Sequence, residues 1–152
     1  MELGFPVSTV RTTSDANLHV AADGRAIQPI PDSEDRYVFL VPAGVRSVSL
    51  VSRFCIPSDK MISDQRDTRR LGVRVNWLSI RSHDSETIFA ADHPALQAGW
   101  NTVENDPGSM WRWTDGNALI PWNKAISSAI LTVRCTPVDE YPIYDAKLRL
   151  VA

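Results

Sequence analysis

The residues best suited to binding chemistry lie in one short run, MWRWTDGNALIPW at 110–122. Its first two tryptophans are two positions apart, so on any β-strand they share one face and Arg112 lies on the other. Flat indole rings can stack on the C–H faces of pyranose sugars, and nearby polar groups can bond the hydroxyls. The run therefore predicts a carbohydrate platform. Its candidate ligand-binding residues are Trp111, Arg112, Trp113, Asp115, Asn117 and Trp100.

A second interpretation places Trp111 and Trp113 in the core. Tryptophans on strands are commonly buried, where each covers a large apolar area and its N–H finds a carbonyl. Burial in the core is the favoured interpretation, because tryptophans on strands are buried more often than they are exposed. Trp100 and Trp122 fall at the edges of predicted segments, where tryptophans often lie at interfaces.

Catalytic residues are not apparent. His83, Asp84 and Ser85 are adjacent, whereas the members of a catalytic triad converge from separate segments. Cys55 and Cys135 belong to no C-x-x-C pair, no histidine stands at zinc-finger spacing, and no Gly-rich phosphate loop is present. We therefore predict a protein that is not an enzyme, with no catalytic residues, no metal site and no cofactor.

The segments that must position the candidate residues have the patterns of β-strands. An Asp23-Gly24 pair between two short extended runs is a strong hairpin signal. In LGVRVNWLSI, strict alternation places Val73, Val75 and Trp77 on one face. The run AKLRLVA at 146–152 also reads as a strand, whereas PALQAG at 94–99 predicts one helical turn and 57–70 a long exposed loop.

Short strands without a long amphipathic helix predict an all-β fold, an antiparallel β-sandwich of the jelly-roll type. Its length of 152 residues predicts one domain spanning 1–152. The formal charge of −2 argues against a nucleic-acid partner. No apolar run approaches the roughly 18 residues of a membrane span, so no membrane partner is expected.

The N-terminal sequence predicts the cellular compartment of the protein. Residues 1–13 lack a basic region followed by an apolar run, so a cleaved signal peptide is not expected. The default location is the cytoplasm, and export by a route that needs no such signal is the alternative. In a cytoplasmic chain, buried thiols are favoured over a disulfide for Cys55 and Cys135.

Several runs resemble a known module. PAGVRSVSLVSRFCIPSD, DTRRLGVRV, HPALQAGWNTVE and MWRWTDGNALIP are similar to an accessory β-rich module of Hint-domain-containing proteins from acetic acid bacteria and related alphaproteobacteria. The WRWTDG core also resembles segments attached to glycosyltransferase domains. The resemblance spans residues 17–135 and is most specific at WRWTDGN. It implies an accessory module, and the self-cleavage chemistry of Hint domains is not carried over because its nucleophile and histidine have no counterparts here.

Two hypotheses for the function follow. The first is a non-catalytic binding module, with carbohydrate as partner, accessory to a Hint or glycosyltransferase domain. The second is a structural or protein-interaction domain, in which the tryptophans fill the core and a sheet edge or the 57–70 loop meets a partner protein or another copy. An exposed, coplanar pair of indoles in a groove favours the first, and fully buried indoles favour the second.

Overall fold

A computed structural model describes residues 11–59, 67–123 and 126–143. These residues form thirteen β-strands and a 3-10 turn at Pro57–Asp59, with no α-helix among them. The strands are β1 (Arg11–Thr13), β2 (His19–Ala22), β3 (Arg25–Ile27), β4 (Ile30–Ser33), β5 (Arg36–Val41), β6 (Val48–Val51), β7 (Val73–Ser82), β8 (Ser85–Ala90), β9 (Glu104–Asp106), β10 (Ser109–Trp113), β11 (Asn117–Ile120), β12 (Ala129–Pro137) and β13 (Tyr141–Ile143). The strand predicted at 146–152 lies outside the described residues.

Two antiparallel sheets pack face to face, which confirms the predicted all-β sandwich. The larger has seven strands, in the order β4-β5-β12-β7-β10-β9 with β8 also paired to β7. The smaller has the order β11-β6-β2-β3, and β1 pairs separately with β13. One hydrophobic core lies between them, to which the larger sheet contributes Phe39, Leu78 and Leu131 and the smaller contributes Val20 and Leu50. The other face of each sheet is turned towards solvent. We call these the large-sheet outer face and the small-sheet outer face.

The predicted hairpin at Asp23-Gly24 joins β2 to β3. Both residues have positive φ, 48° and 83°, as a two-residue turn of this kind requires. The Asp23 carboxylate also accepts hydrogen bonds from the backbone N–H groups of Arg46 and Ser47, the latter at 2.9 Å. This one turn therefore also fixes the chain that enters β6.

Strand β7 contains a bulge that changes which residues face outwards. Val75 is paired with Cys135 and Trp77 with Arg134, so Asn76 has no partner on β12. Its side-chain amide instead donates to the backbone oxygen of Met110 on β10 at 3.1 Å. The extra residue returns Leu78 to the core and places Trp77 outside it. The prediction that Trp77 shares a face with Val73 and Val75 was therefore wrong.

The segment between β8 and β9 follows turns rather than the predicted helical turn. Two backbone hydrogen bonds, Leu96 N–H to His93 O at 3.1 Å and Trp100 N–H to Gln97 O at 3.2 Å, close successive turns. Gly99 has a φ of +85°, which suits a glycine. These turns bring Trp100 back against the smaller sheet.

No helix among the described residues has the length and apolar character needed to cross a membrane. The two cysteines, Cys55 and Cys135, are both buried thiols.

Candidate ligand-binding surface

Strand β10 carries the two candidate tryptophans on the large-sheet outer face. Arg112 pairs with the core residue Val75, and cross-strand partners share a face, so Arg112 is directed inwards. Trp113 pairs with Arg74, and Trp111 is two positions before it on the same face. The sequence prediction that both indoles share one face, opposite Arg112, is therefore confirmed.

Both indoles are half-buried, and neither belongs to the hydrophobic core. Within the described residues, neither Trp111 nor Trp113 has a hydrogen-bond partner for its ring N–H, and neither N–H is a buried unsatisfied donor. Each N–H is therefore open to solvent. Trp100 differs, since it is only 8% exposed and its Nε1 donates to the Leu119 backbone oxygen at 2.9 Å.

Arg74, on the neighbouring strand β7, lies opposite Trp113 and contacts Trp111. Its guanidinium carbon is 4.0 Å from the centroid of the Trp111 ring, a close cation–π contact. No carboxylate of the described residues lies within salt-bridge distance of it. Trp111, Trp113, Arg74 and Trp77 together form what we call the tryptophan surface.

Charged side chains border the tryptophan surface at the sheet edge. Trp111 pairs with Glu104 on β9, and the Glu104 carboxylate accepts a hydrogen bond from Arg69 at 3.0 Å. Arg69 also contacts Asp67 at 2.7 Å, and its hydrogen bonds hold the pKa of that carboxyl below its usual value. The described end of the predicted 57–70 loop is thus tied to β9; residues 60–66 lie outside the described part.

Two other candidate residues, Arg112 and Trp100, have internal partners. Arg112 donates from Nε to the Asn101 backbone oxygen and from Nη1 to that of Ala91 at 3.5 Å. It therefore ties the turns between β8 and β9 to β10. Trp100 packs in the core, so both residues support the surface from beneath rather than forming part of it.

The remaining candidates, Asp115 and Asn117, lie elsewhere because the chain changes sheets between β10 and β11. Thr114 still bonds to β7, with its N–H donating to Val73 O at 3.0 Å. Two residues later, Gly116 O accepts from Ser52 N–H at 3.0 Å, at the start of the pairing with β6. The TDGN stretch is therefore a crossing between sheets.

After this crossing, Asn117 is exposed on the small-sheet outer face. The Asp115 carboxylate accepts from the Asn117 backbone N–H at 2.9 Å. Both residues line an open pocket of about 490 Å³ with Phe54, over whose ring the Arg70 guanidinium lies at 4.8 Å. We call this the turn pocket. The structure thus brings Trp111 together with Trp113, and Asp115 with Asn117, on opposite faces.

The large-sheet outer face also carries exposed aliphatic side chains that sequence reasoning missed. Leu40 pairs with Ile130, and both alternate with core residues along their strands. Ile88 and Ile30 lie outwards on the flanking strands and are 62% and 50% exposed. These four residues form what we call the apolar patch. The two-residue alternation in RYVFLV and AILTVRC was the available signal, but the outward positions of these strands mix apolar and polar residues.

The described residues contain no candidate metal site, because no three His, Cys, Asp or Glu side chains among them are placed to hold an ion. Comparison of the chain with family models, with curated proteins and with solved structures found no match.

Proposed function

We propose that the protein is a non-catalytic carbohydrate-binding module whose ligand lies on the tryptophan surface. The observation that carries this proposal is the placement of Trp111 and Trp113 on one solvent-facing side of β10, with ring N–H groups that no described residue accepts from. A rigid strand holds the two rings, so little conformational entropy is lost when a ligand stacks on them.

Each feature of the surface has a role in such binding. The Trp113 ring has no aromatic or cationic group of the described residues stacked on it, so its face is available to a sugar ring. The indole N–H groups and the Arg74 guanidinium supply donors for hydroxyl and ring oxygens. Because the site is a sheet face rather than a deep cavity, we expect modest affinity for one sugar unit.

An accessory role follows from the resemblance of the WRWTDGN region to segments of Hint-domain and glycosyltransferase proteins. In that setting the module would hold a glycan or a glycosylated partner near the domain that it accompanies. Proteins of one fold carry unrelated functions, so this part of the proposal rests on the resemblance and the binding part rests on the site.

Self-assembly is the second candidate function, favoured by the apolar patch. Exposed aliphatic residues gathered on one sheet face are a common feature of association surfaces. If two copies associated through this patch, sedimentation velocity would show a concentration-dependent larger species that Leu40→Ser removes. A monomer at all concentrations would exclude this candidate.

The carbohydrate proposal is tested by fluorescence titration against neutral and acidic oligosaccharides and bacterial exopolysaccharides. We expect saturable binding of at least one glycan by the native protein. Trp113→Ala should weaken that binding about ten-fold or more, since a stacked aromatic contact accounts for about 1.4 kcal/mol or more. Asn117→Ala, in the turn pocket, should have no effect.

Two other results would contradict the proposal. Binding of no glycan would remove the function itself. Loss of binding in Asn117→Ala but not in Trp113→Ala would assign it to the turn pocket. A Trp113→Ala variant that loses its native circular dichroism would be replaced by Trp113→Tyr, which keeps a smaller ring and should bind with intermediate affinity.

A further inference from the structure

We infer that the tryptophan surface selects acidic glycans, in which a sugar carboxylate pairs with Arg74. This inference rests on the proposed carbohydrate function and adds to it the chemical class of the ligand. The observation behind it is a guanidinium that is held in place by an aromatic ring and has no counter-charge among the described residues.

Several other arginines of the described chain do have a carboxylate partner. Arg36 pairs with Asp32 at 3.1 Å, Arg134 with Asp35 at 2.9 Å, and Arg69 with both Asp67 and Glu104. Each of these cations is neutralised by a carboxylate of the described chain. Arg74 is half-buried, pairs with Trp113 across the two strands, and lacks such a partner. The tryptophan surface therefore holds a guanidinium that has no ion-pair partner among the described residues.

The contact with Trp111 fixes how Arg74 can be used. The guanidinium carbon lies over the Trp111 ring at 4.0 Å, and the N–H donors project from the edges of the guanidinium. Within the described chain, none of these donors is engaged in a hydrogen bond. A carboxylate can accept two of them in parallel, a geometry specific to arginine. Because Arg74 is already held, less side-chain entropy is lost on binding.

The whole chain does not attract polyanions by its net charge, which is −2. Recognition of an acidic polymer must therefore come from a local group rather than from a diffuse basic surface. Trp113, which pairs directly with Arg74, offers a ring for the sugar that carries the carboxylate. An acidic sugar uses both groups together, whereas a neutral sugar leaves Arg74 without an ion-pair partner.

The test compares each acidic ligand with its own uncharged methyl ester. Oligogalacturonate and oligomannuronate are each titrated as the ionised acid and as the methyl ester, with a cello-oligosaccharide as the neutral reference. We expect the native protein to prefer one acid over its own ester by about ten-fold or more, as a charge-assisted bidentate contact provides. Arg74→Gln should lose this preference and bind the acid and its ester with equal affinity.

Arg81→Gln is the matched control. Arg81 lies further along β7 on the same outer face, is exposed, and forms no ion pair with the described residues. Arg81→Gln changes the net charge by the same amount as Arg74→Gln. Because Arg81 is not part of the tryptophan surface, we expect this variant to keep the preference for the acid. Equal loss of preference in both variants would overturn the assignment to Arg74.

The two proposals fail separately. Equal binding of acid and ester, or binding of the cello-oligosaccharide alone, with sensitivity to Trp113→Ala, would overturn the acidic selectivity and leave the carbohydrate function in place. Binding of none of these ligands or of the wider glycan panel would overturn both. Preference for the acid that survives in Arg74→Gln would overturn the inference directly.

Discussion

At the scale of the residue, the same side chain has different roles in different places. Trp111 and Trp113 offer rings and N–H groups to solvent, whereas Trp100 is buried and bonded to Leu119 O at 2.9 Å. Trp122 packs against the core, but its Nε1 is buried without an acceptor among the described residues. These differences are not visible in the tryptophan pattern of the sequence.

The contrast between Trp100 and Trp122 predicts unequal costs for the same substitution. Trp100→Phe removes an indole N–H that donates a hydrogen bond, and it leaves the backbone carbonyl that accepted this bond without its donor. Trp122→Phe removes an indole N–H that is buried without an acceptor among the described residues, which is itself unfavourable for the folded state. We expect Trp100→Phe to lower the free energy of unfolding by about 1–3 kcal/mol more than Trp122→Phe does. Urea denaturation of both variants measures this, and equal losses would contradict it.

Two buried groups that lose a proton in alkali, the Cys135 thiol and the Tyr141 phenol, make the stability of the folded state fall at high pH. Burial raises the pKa of the Cys135 thiol from 9.0 to about 12 and raises the pKa of Tyr141 above its ordinary value of 10.0. Both groups lose their protons more readily when unfolded. Their contribution to stability is therefore complete below pH 9.0 and is lost progressively as the pH rises towards about 12.

Cys135 should account for the first part of this loss. The free energy of unfolding should fall by up to about 1.4 kcal/mol per pH unit for this one group above pH 9. Denaturation in reducing buffer at a series of pH values gives the slope for the native protein and for Cys135→Ala. The variant should show a shallower slope, and identical slopes would contradict the assignment.

At the scale of the element, two local irregularities decide which residues form the surface. The bulge at Asn76 places both Arg74 and Trp77 on the large-sheet outer face. In a regular strand, residues three positions apart would lie on opposite faces. The crossing at 114–116 sends Asp115 and Asn117 to the opposite sheet from Trp113. Neighbours in the sequence are therefore separated, and Arg74, far away in the sequence, becomes the partner of Trp113.

Close packing at this crossing predicts intolerance of a single methyl group. A Cβ on Gly72 would lie 2.4 Å from Thr114 Oγ1 and 2.7 Å from Gly116 N, and Thr114 is fully buried. We expect Gly72→Ala to destabilise by about 1–3 kcal/mol or more. Gly44→Ala is the control, since only its positive φ of 85° opposes the change and no atom lies within 4 Å.

Thermal unfolding of the two glycine variants compares these costs. Strain at the positive φ should cost Gly44→Ala about 1 kcal/mol of stability. The clash at Gly72 should cost more, so Gly72→Ala should have the lower melting temperature. A melting temperature at or above that of Gly44→Ala would mean that the crossing is looser than described.

Much of the fold could be predicted from the sequence, and less of the site. Alternation and turn residues predicted the sandwich and the hairpin at Asp23-Gly24, because both depend on local backbone preferences. The shared face of Trp111 and Trp113 follows from the two-residue period of a strand. The role of Arg74 could not be predicted, because it depends on which strand lies beside β10 and on the bulge that sets the register.

At the scale of the whole molecule, the large-sheet outer face is broad. Six strands lie side by side from β4 to β9, which spans roughly 24 Å at about 4.8 Å per strand spacing. The tryptophan surface occupies one side of this face, and the apolar patch extends towards the other. A polymer chain can contact more of this face than a single sugar can.

The breadth of this face predicts that affinity depends on ligand length. We expect an oligogalacturonate to bind about ten-fold or more tightly than galacturonic acid, because additional sugar units contact the face after the first is anchored. Isothermal titration calorimetry across a length series measures the increase. Equal affinity per chain at all lengths would confine the site to one sugar unit.

The most direct test of carbohydrate binding at the tryptophan surface is an NMR titration that follows the indole N–H signals of the five tryptophans. The signals are assigned from single Trp→Phe variants, and oligogalacturonate, its methyl ester and a cello-oligosaccharide are added in turn. We predict saturable shifts of the Trp111 and Trp113 signals with at least one ligand, while the signal of buried Trp100 stays in place. Binding that shifts other signals and leaves those of Trp111 and Trp113 unmoved would contradict this account.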